Sequence, residues 1–396
     1  MNILIVQRFD LSSVSCARRV LSQANELAAR GHSVTLVDFP NPERPGFAGS
    51  GAIQAHEDIQ VIPLSRKAID IPGSCRRLAN LDPKPDIVHL WKSYPDAALP
   101  ALYACDRFDV PLHYDWDDWE PSIARELTGS SLAAHVTGRW DRALCRICDT
   151  CSVASSELRK TALEWGMNPE QLFDAPVGAD LELFHPRPPD PGILEKIGGK
   201  ERPVLVYAGQ LEVTFYADQA VDMLRILDRK GIQALLLIVG GGSHEEDLKR
   251  HAEEQGVLIS LYCTGYVSGD EVPRWLSIAD VALAPFEDTL AARCKSPLKI
   301  AEYLAMGLPI VASDVGDVLN MVQHAGFIIP AENPEMMAIC TAKILKDTDL
   351  WHSMSLAARK RAEERYNWKW HTDQLEAAYR KRSEERRVGK ECTIQC

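Results

Sequence analysis

Short apolar runs alternating with helix-period stripes constrain this chain more than any other feature of its sequence. Ile3–Val6 is followed by Ala17, Val20, Leu21, Ala24 and Leu27 on one helical stripe, then by Gly31 and a second run, Val34–Val37. This is a βαβ opening, and its repetition predicts a parallel, doubly wound sheet. Ile87–Leu90 and Val110–His113 read as further strands. The rhythm pauses at Pro186–Gly192, where four prolines in seven residues exclude both helix and central strand and mark a linker. It then restarts with strand Val204–Tyr207, a helix from about Ala217 to Lys230, strand Leu235–Val239, a helix from about Glu245 to Gln255 and strand Leu261–Thr264. The expected organisation is an N-terminal α/β domain over 1–185, a linker over 186–202 and a second α/β domain over 203–366. A helix over 367–382 is expected to pack back on the first domain, with 383–396 a non-native or disordered tail set apart by composition. Two such halves are expected to face across a cleft, with ligands beyond the carboxyl ends of the strands.

Composition narrows the function classes. The 396 residues suggest two to three domains, and 46% hydrophobic with 25% charged residues excludes intrinsic disorder and collagen-like repeats. A net charge of −12 speaks against a nucleic-acid partner. No stretch approaches the roughly 18 consecutive apolar residues of a membrane span. The N-terminus reads as a first strand rather than a signal peptide. Eleven cysteines, an odd and scattered number, suit a reduced cytoplasmic protein. The Cys145-x2-Cys148-x2-Cys151 spacing occurs in iron–sulfur sites. A helix from Trp140 to about Cys148 running into strand Ser152–Ala154 turns the third sulfur elsewhere, so small buried hydrophobes are the better account.

The segment Ser296–Pro309 carries the most chemistry. Ser296 suits an N-cap, Pro297 the first helical position, Gly307 the position after the end, and Pro309 prevents continuation. The N-terminus of such a helix offers unpaired amides and a positive dipole end, suited to a diphosphate. Glu302 lies about 9 Å further along the axis, the reach from a diphosphate to the ribose hydroxyls of the same nucleotide. A capped helix with Lys299 and Glu302 paired at i,i+3 is the alternative reading of the same residues.

Here the sequence resembles the retaining glycosyltransferases of family 4, over about residues 1–380. The resemblance rests on Val206–Leu211 (VYAGQL), Leu237–Gly242 (LIVGGG), Thr264–Val267, Ala279–Pro285 and Ser296–Pro309 followed by Val311–Ser313, in that order and spacing. Pro85–His89 and Gly178–Pro186 add to it. It implies the GT-B fold of two facing Rossmann-like domains, a nucleotide-diphosphate sugar as donor, an unidentified acceptor and no metal or other cofactor. By this resemblance Glu302 is the second glutamate of an E-x7-E pattern that holds the donor ribose. Ser296, Pro297 and Leu298 form the loop whose amides meet the phosphates, Gly209 lets the strand-end turn approach them, and Tyr266 and Val267 lie beside the nucleobase. Gly240–Gly242 reads as a plain strand-end turn. Three positions depart from the pattern: Cys294 stands where the first glutamate is expected, Gln210 where an arginine is, and Glu212–Tyr216 contains no lysine. Glu287 or Asp288 is near enough in sequence to substitute for the glutamate, and Arg293, Lys295 or Lys299 to supply the missing positive charge.

In the N-terminal half, Tyr114–Glu120 packs four acids and two tryptophans into seven residues after a strand. Acids this close raise one another's pKa values, and the resemblance makes Asp115 the residue facing the donor sugar, with Asp117 and Asp118 behind it. Ser12, Ser13, His89 and Trp91 are acceptor-side candidates; Ser12 and Ser13 equally suit a helix cap, and His89 a buried strand-end hydrogen bond. The expected activity is retaining glycosyl transfer, in the cytoplasm and with peripheral contact at the inner membrane face left open, as is the oligomeric state. A sugar-nucleotide epimerase or hydrolase of the same fold, or a catalytically lapsed binding protein, are the alternatives.

Overall fold

A computed structural model describes residues 1–11, 14–40, 55–211 and 216–394, with backbone alone for 14–17, 127 and 382–394. The chain forms two compact units. The first runs to Pro176 and includes Trp368 onward; the second is Val177–Asn367.

The first unit holds seven strands: β1 (Asn2–Val6), β2 (Ser33–Asp38), β3 (Gln60–Pro63), β4 (Ile87–Trp91), β5 (Leu112–Trp116), β6 (Thr150–Val153) and β7 (Leu172–Asp174). All pair in parallel, in the order β3-β2-β1-β4-β5-β6-β7. The second unit holds β8 (Val204–Ala208), β9 (Leu235–Val239), β10 (Leu261–Cys263), β11 (Val281–Ala284), β12 (Ile310–Ser313) and β13 (Gly326–Ile329), again parallel, in the order β10-β9-β8-β11-β12-β13. In both sheets the order reverses beside the first strand, which makes the carboxyl ends of β1/β4 and of β8/β11 the places where an open α/β sheet binds ligands.

The apolar runs are explained by burial on both faces. Along β8, Val204, Val206 and Ala208 enter one core while Leu205 and Tyr207 enter the other. In β9, Leu235, Leu237 and Val239 divide from Leu236 and Ile238 in the same way. In the first unit, Ile3, Ile5, Leu36 and Ile87 share a core with Leu375, Ala378 and Tyr379 of the C-terminal helix, Trp368–Ile394. The backbone of that helix continues through most of the stretch expected as a disordered tail.

Two expectations about boundaries change. The Pro-rich stretch lies inside the second unit rather than between units. Pro191 opens a short helix, Pro191–Lys196, whose Asp190 cap accepts from the Ile193 amide at 3.1 Å and pairs with Arg274 at 2.8 Å. Proline at a first helical position is favoured because its missing N–H has no partner to lose there. Strand β5 begins and ends later than expected and runs through Tyr114 and Asp115. Among the described residues no helix is long and apolar enough to cross a membrane.

The polar residue inside β5 is tolerated because its charge is matched. Asp115 is fully buried. It accepts from Arg19 Nε at 3.0 Å and Nη2 at 2.8 Å, from Gln23 at 2.9 Å and from Ser152 Oγ at 2.6 Å. Burial alone raises a carboxyl pKa, but the Arg19 guanidinium and the neighbouring His89 outweigh it and hold Asp115 well below the usual carboxylate range. A group depressed in the folded state contributes stability above its unfolded pKa and loses it as pH falls through the folded one. Arg19→Met therefore leaves an uncompensated buried charge and is expected to cost about 3–5 kcal/mol at neutral pH. The cost shrinks in acid as Asp115 takes a proton, and urea unfolding of both proteins at neutral and mildly acidic pH measures the difference. An equal cost at both pH values contradicts this account of Arg19.

Candidate active site

On the second unit the carboxyl ends of β8, β9 and β11 meet the helix Leu298–Ala305. That helix is fixed by Tyr303, whose hydroxyl accepts from the Ala208 amide at 2.6 Å and donates to the Leu283 carbonyl at 3.4 Å. Its N-cap is Pro297, not Ser296 as the sequence suggested. Ser296 Oγ instead accepts from the Val177 amide at 3.1 Å, where the chain enters this unit. Proline has no side-chain acceptor, so the helix start is uncapped, and the amides of Leu298 and Lys299 find no acceptor among the described residues. Unsatisfied first-turn amides of this kind suit an anion.

Lys299 lies half-buried with its Nζ 3.7 Å from the Tyr207 ring centroid and 5.8 Å from that of Phe286. It makes no ion pair among the described residues. Burial, then the like charge of Lys295, pushes its pKa down to about 7 against a weaker pull from Glu302. Gly209, at φ +151°, leaves this space open, since a Cβ there would come within 3.1 Å of Lys299 Nζ. Gly240 and Gly242 serve backbone packing. Their added Cβ atoms would fall 2.1 Å from the Gly209 carbonyl and 2.3 Å from that of Leu211, so the plain-turn reading has a steric cause.

The remaining donor-side candidates separate. Glu302 is buried, on the same helix as Lys299. Lys295 and Val267 are half-buried, while Tyr266 and Gln210 are exposed at strand-end turns. Arg293 pairs with Asp288 at 2.9 Å on the surface, and Cys294 is a buried thiol. Glu287 is exposed, its pKa raised by partial burial and the nearby charges of Glu332 and Asp218.

On the first unit the carboxyl ends of β4 and β5 carry a different charge arrangement. Lys92, at φ +68°, is buried with its Nζ 3.0 Å from Asp117, 2.7 Å from Asp118 and 2.5 Å from Glu120. Tyr94 donates to Glu120 at 2.6 Å. Asp117, Asp118 and Glu120 are close enough to hold a metal ion, but the Lys92 ammonium already contacts all three. Burial pushes Asp117 up to about 6, with Lys92 opposing and Asp118 adding to it. Asp115 is not among the accessible acids. It is the buried partner of Arg19, and its pKa falls where mutual repulsion among acids was expected to raise it.

His89 and Trp91 are likewise buried rather than presented to a ligand. His89 Nδ1 lies 2.6 Å from the Tyr379 hydroxyl, and Trp91 packs against Phe9. Trp116 is buried in a stack with Trp165 at 5.2 Å, which leaves the half-buried Trp119 as the more accessible ring of the segment. Ser12 and Ser13 lie outside the described residues. Sequence reasoning missed Arg19 and Lys92. The first sits beside Val20 on an otherwise apolar stripe, which hints at a buried counter-charge; the second carried no signal beyond its place at a strand end. The three cysteines also converge, against expectation. Burial raises the Cys151 thiol, and contacts with the Cys145 and Cys148 thiols raise it further.

Residues 193–361 match the family model described as glycosyl transferases group 1, and residues 16–178 match the model described as glycosyl transferase 4-like domain. The chain belongs to the family 4 glycosyltransferases. This family 4 chain is 31% identical over 200 residues to the GDP-mannose-dependent alpha-(1-6)-phosphatidylinositol monomannoside mannosyltransferase of Mycobacterium tuberculosis, a match covering 49% of this chain and 51% of that protein. It thus spans about half the length of that relative. Its fold is that of sucrose-phosphate synthase from Thermosynechococcus elongatus, with a TM-score of 0.72 at 17% identity over 96% of this chain and 98% of the other. It is also that of Anabaena HepE, crystallised with UDP and glucose, with a TM-score of 0.73 at 15% identity over 95% and 98%. Two parallel α/β sheets with these neighbours define the GT-B class.

Asp141 is buried and accepts from the Tyr114 hydroxyl at 3.1 Å, with the Ser93 hydroxyl also bearing on its carboxylate. Burial pushes its pKa up to about 7. A raised carboxyl favours folding below its unfolded pKa and loses that contribution as pH rises through the folded one. Asp141→Asn is therefore expected to gain stability relative to the parent between pH 5 and pH 8. Melting temperatures across that range test this, and a difference independent of pH contradicts it.

Proposed function

We propose that the chain is a retaining glycosyltransferase that moves a glycosyl group from a nucleotide-diphosphate sugar to an acceptor hydroxyl. The observation that supports this reading is the start of the Leu298–Ala305 helix: two amides without acceptors and a lysine without an ion pair among the described residues, and a buried carboxylate further along. Charge accumulates on the diphosphate as the glycosyl bond breaks, and donors already in place stabilise it without reorganising. Glu302 is the residue to accept the ribose hydroxyls. On the first unit the catalytic acids in this proposal are Asp117 and Asp118, the members of the cluster that are not fully buried. Retention is inferred from family membership.

The name of the mycobacterial relative makes GDP-mannose the first donor to test and a phosphatidylinositol mannoside the first acceptor. UDP-glucose is the second donor, from the UDP and glucose bound by HepE. Lys299, Lys295 and the helix amides meet the diphosphate charge in this proposal, so transfer proceeds without added metal, and the rate is expected to survive EDTA. The buried thiol of Cys294, where the family pattern expects a glutamate, favours one second reading, a nucleotide-sugar binder without turnover. Release of nucleoside diphosphate from the donor only when acceptor is present distinguishes transfer from hydrolysis and from binding alone.

Glu302→Ala removes two charge-assisted hydrogen bonds in this reading, each worth about 1.5–3 kcal/mol. Calorimetric titration with GDP and UDP is expected to show affinity lowered roughly tenfold or more, with the melting temperature of the empty protein nearly unchanged. A purely structural Glu302 reverses that pattern, lowering the melting temperature and leaving affinity intact.

A further inference from the structure

We infer that the exposed face of the helix Ser131–Ile147, in the first unit, docks on an anionic lipid bilayer, with an aliphatic strip entering the headgroup boundary and arginines beside it meeting the lipid phosphates. The inference stands on this surface alone and does not depend on the donor reading above.

The sequence of this helix sorts its residues by side. Asp141, Leu144 and Cys145 are buried. An added Cβ at Gly138 would meet the Pro121 ring at 3.3 Å, so that flank lies against the preceding helix, Glu120–Thr128. At about 100° per residue the exposed residues fall into two strips. Leu132, Val136, Ala143 and Ile147 share an arc of roughly 60° and form an aliphatic strip about 22 Å long. Leu132 is 72% exposed, Val136 44% and Ile147 55%. His135, Arg139, Arg142 and Arg146 occupy a second arc, also roughly 60° wide, along one edge of that strip. A single exposed leucine needs no explanation, whereas aliphatic residues in register along one helix mark an interaction surface.

Charge identifies the occupant. The only acid of this helix, Asp141, is on the buried side, so its exposed face carries no negative charge in a chain of net charge −12. None of the three arginines forms an ion pair among the described residues. Of the acids flanking the helix in sequence, Asp149 is held by the Leu112 amide at 2.8 Å, which leaves the exposed Glu126 of the preceding helix. A second copy of the chain meeting this face with its own would set arginines near arginines with no acid on either face to match them, and like charges so placed oppose association. An anionic bilayer instead offers phosphates and hydrocarbon side by side, the two chemistries that the two strips present. The negative potential of such a surface draws arginines that come within a Debye length of it, whatever the charge on the rest of the molecule.

The test is cosedimentation of the full chain with large unilamellar vesicles, one set of phosphatidylcholine alone and one of equal parts phosphatidylcholine and phosphatidylglycerol. The expected result is partition onto the anionic vesicles only, falling as salt is raised because the attraction is screened. Removing three charges together, by Arg139→Gln, Arg142→Gln and Arg146→Gln, is expected to weaken partition roughly hundredfold, about fivefold per charge. The variant carrying Leu132→Ser, Val136→Ser and Ile147→Ser is expected to weaken it at least about tenfold while keeping the salt dependence. Removing as many charges from the second unit, by Lys343→Gln, Lys346→Gln and Lys360→Gln, is expected to change partition by less than about twofold. Melting temperatures close to the parent's are expected for every variant, since all the positions are exposed. Partition that survives either variant of this face, equal partition onto neutral vesicles, or no partition of the parent protein at low salt overturns the inference. So does self-association of the parent that the Leu132 variant abolishes in the absence of lipid, which gives the face to a second copy.

Discussion

A parallel strand buried on both faces has no polar side to spare, and this constraint governs where chemistry can reside in the molecule. Val204, Val206 and Ala208 are committed to one core and Leu205 and Tyr207 to the other, so nothing along β8 is free to meet a ligand. In the proposed function the chemistry falls to the residues just past the strand, where the reversal of strand order beside β8 opens that edge. Gly209, the β9 end at Gly240 and the Leu298–Ala305 helix converge there because the backbone can approach closely only where no Cβ intervenes. The Tyr303 hydroxyl then ties the helix to β8 and β11 at once, which sets the position of its first turn.

The first unit departs from this rule at one place and compensates for it. Asp115 projects from the middle strands of the sheet into a buried polar network with Arg19, Gln23, Ser152 and, through Gln23, His371 of the C-terminal helix. His371 in turn donates from Nδ1 to the Pro176 carbonyl at 2.7 Å, so the last residue before the chain leaves the unit and the helix that returns to it share one side chain. Burial pushes His371 down to about 3, so it bonds as a neutral ring. Left half-satisfied, such a network would cost more than an apolar core, which makes each member dependent on the rest.

The same two features separate what was legible in the sequence from what was not. Strands whose residues are all apolar read clearly, and β8 and β9 fall almost where their patterns place them. Strand β5 did not, because a pattern reader meets Asp115 and ends the strand, with no sight of Arg19 arriving from nearly a hundred residues away. Ser296 was misjudged for a related reason. Its type suits a cap, but the Val177 amide competes for its hydroxyl, a long-range contact that no local rule contains. Prolines at 186–191 marked a real punctuation, yet Pro191 starts a helix rather than freeing the chain. The helix that carries Lys299 and Glu302 was legible because Pro297, Gly307 and Pro309 bound it locally, whereas Gly209 was singled out by the family resemblance.

The two strand-end clusters differ most in how their lysines are balanced. Lys92 stands among three carboxylates, all within 3.0 Å of its ammonium, and its pKa is raised well above the ordinary lysine value because those charges outweigh its burial. A cation so fully matched has little attraction left for an incoming anion. Its left-handed backbone, uncommon for a residue with a side chain, is held by the contacts it makes. Lys299 is half-buried over the Tyr207 and Phe286 rings and makes no ion pair among the described residues. Cys294 and Gln210 leave the edge of the second sheet with fewer fixed charges than the family pattern supplies.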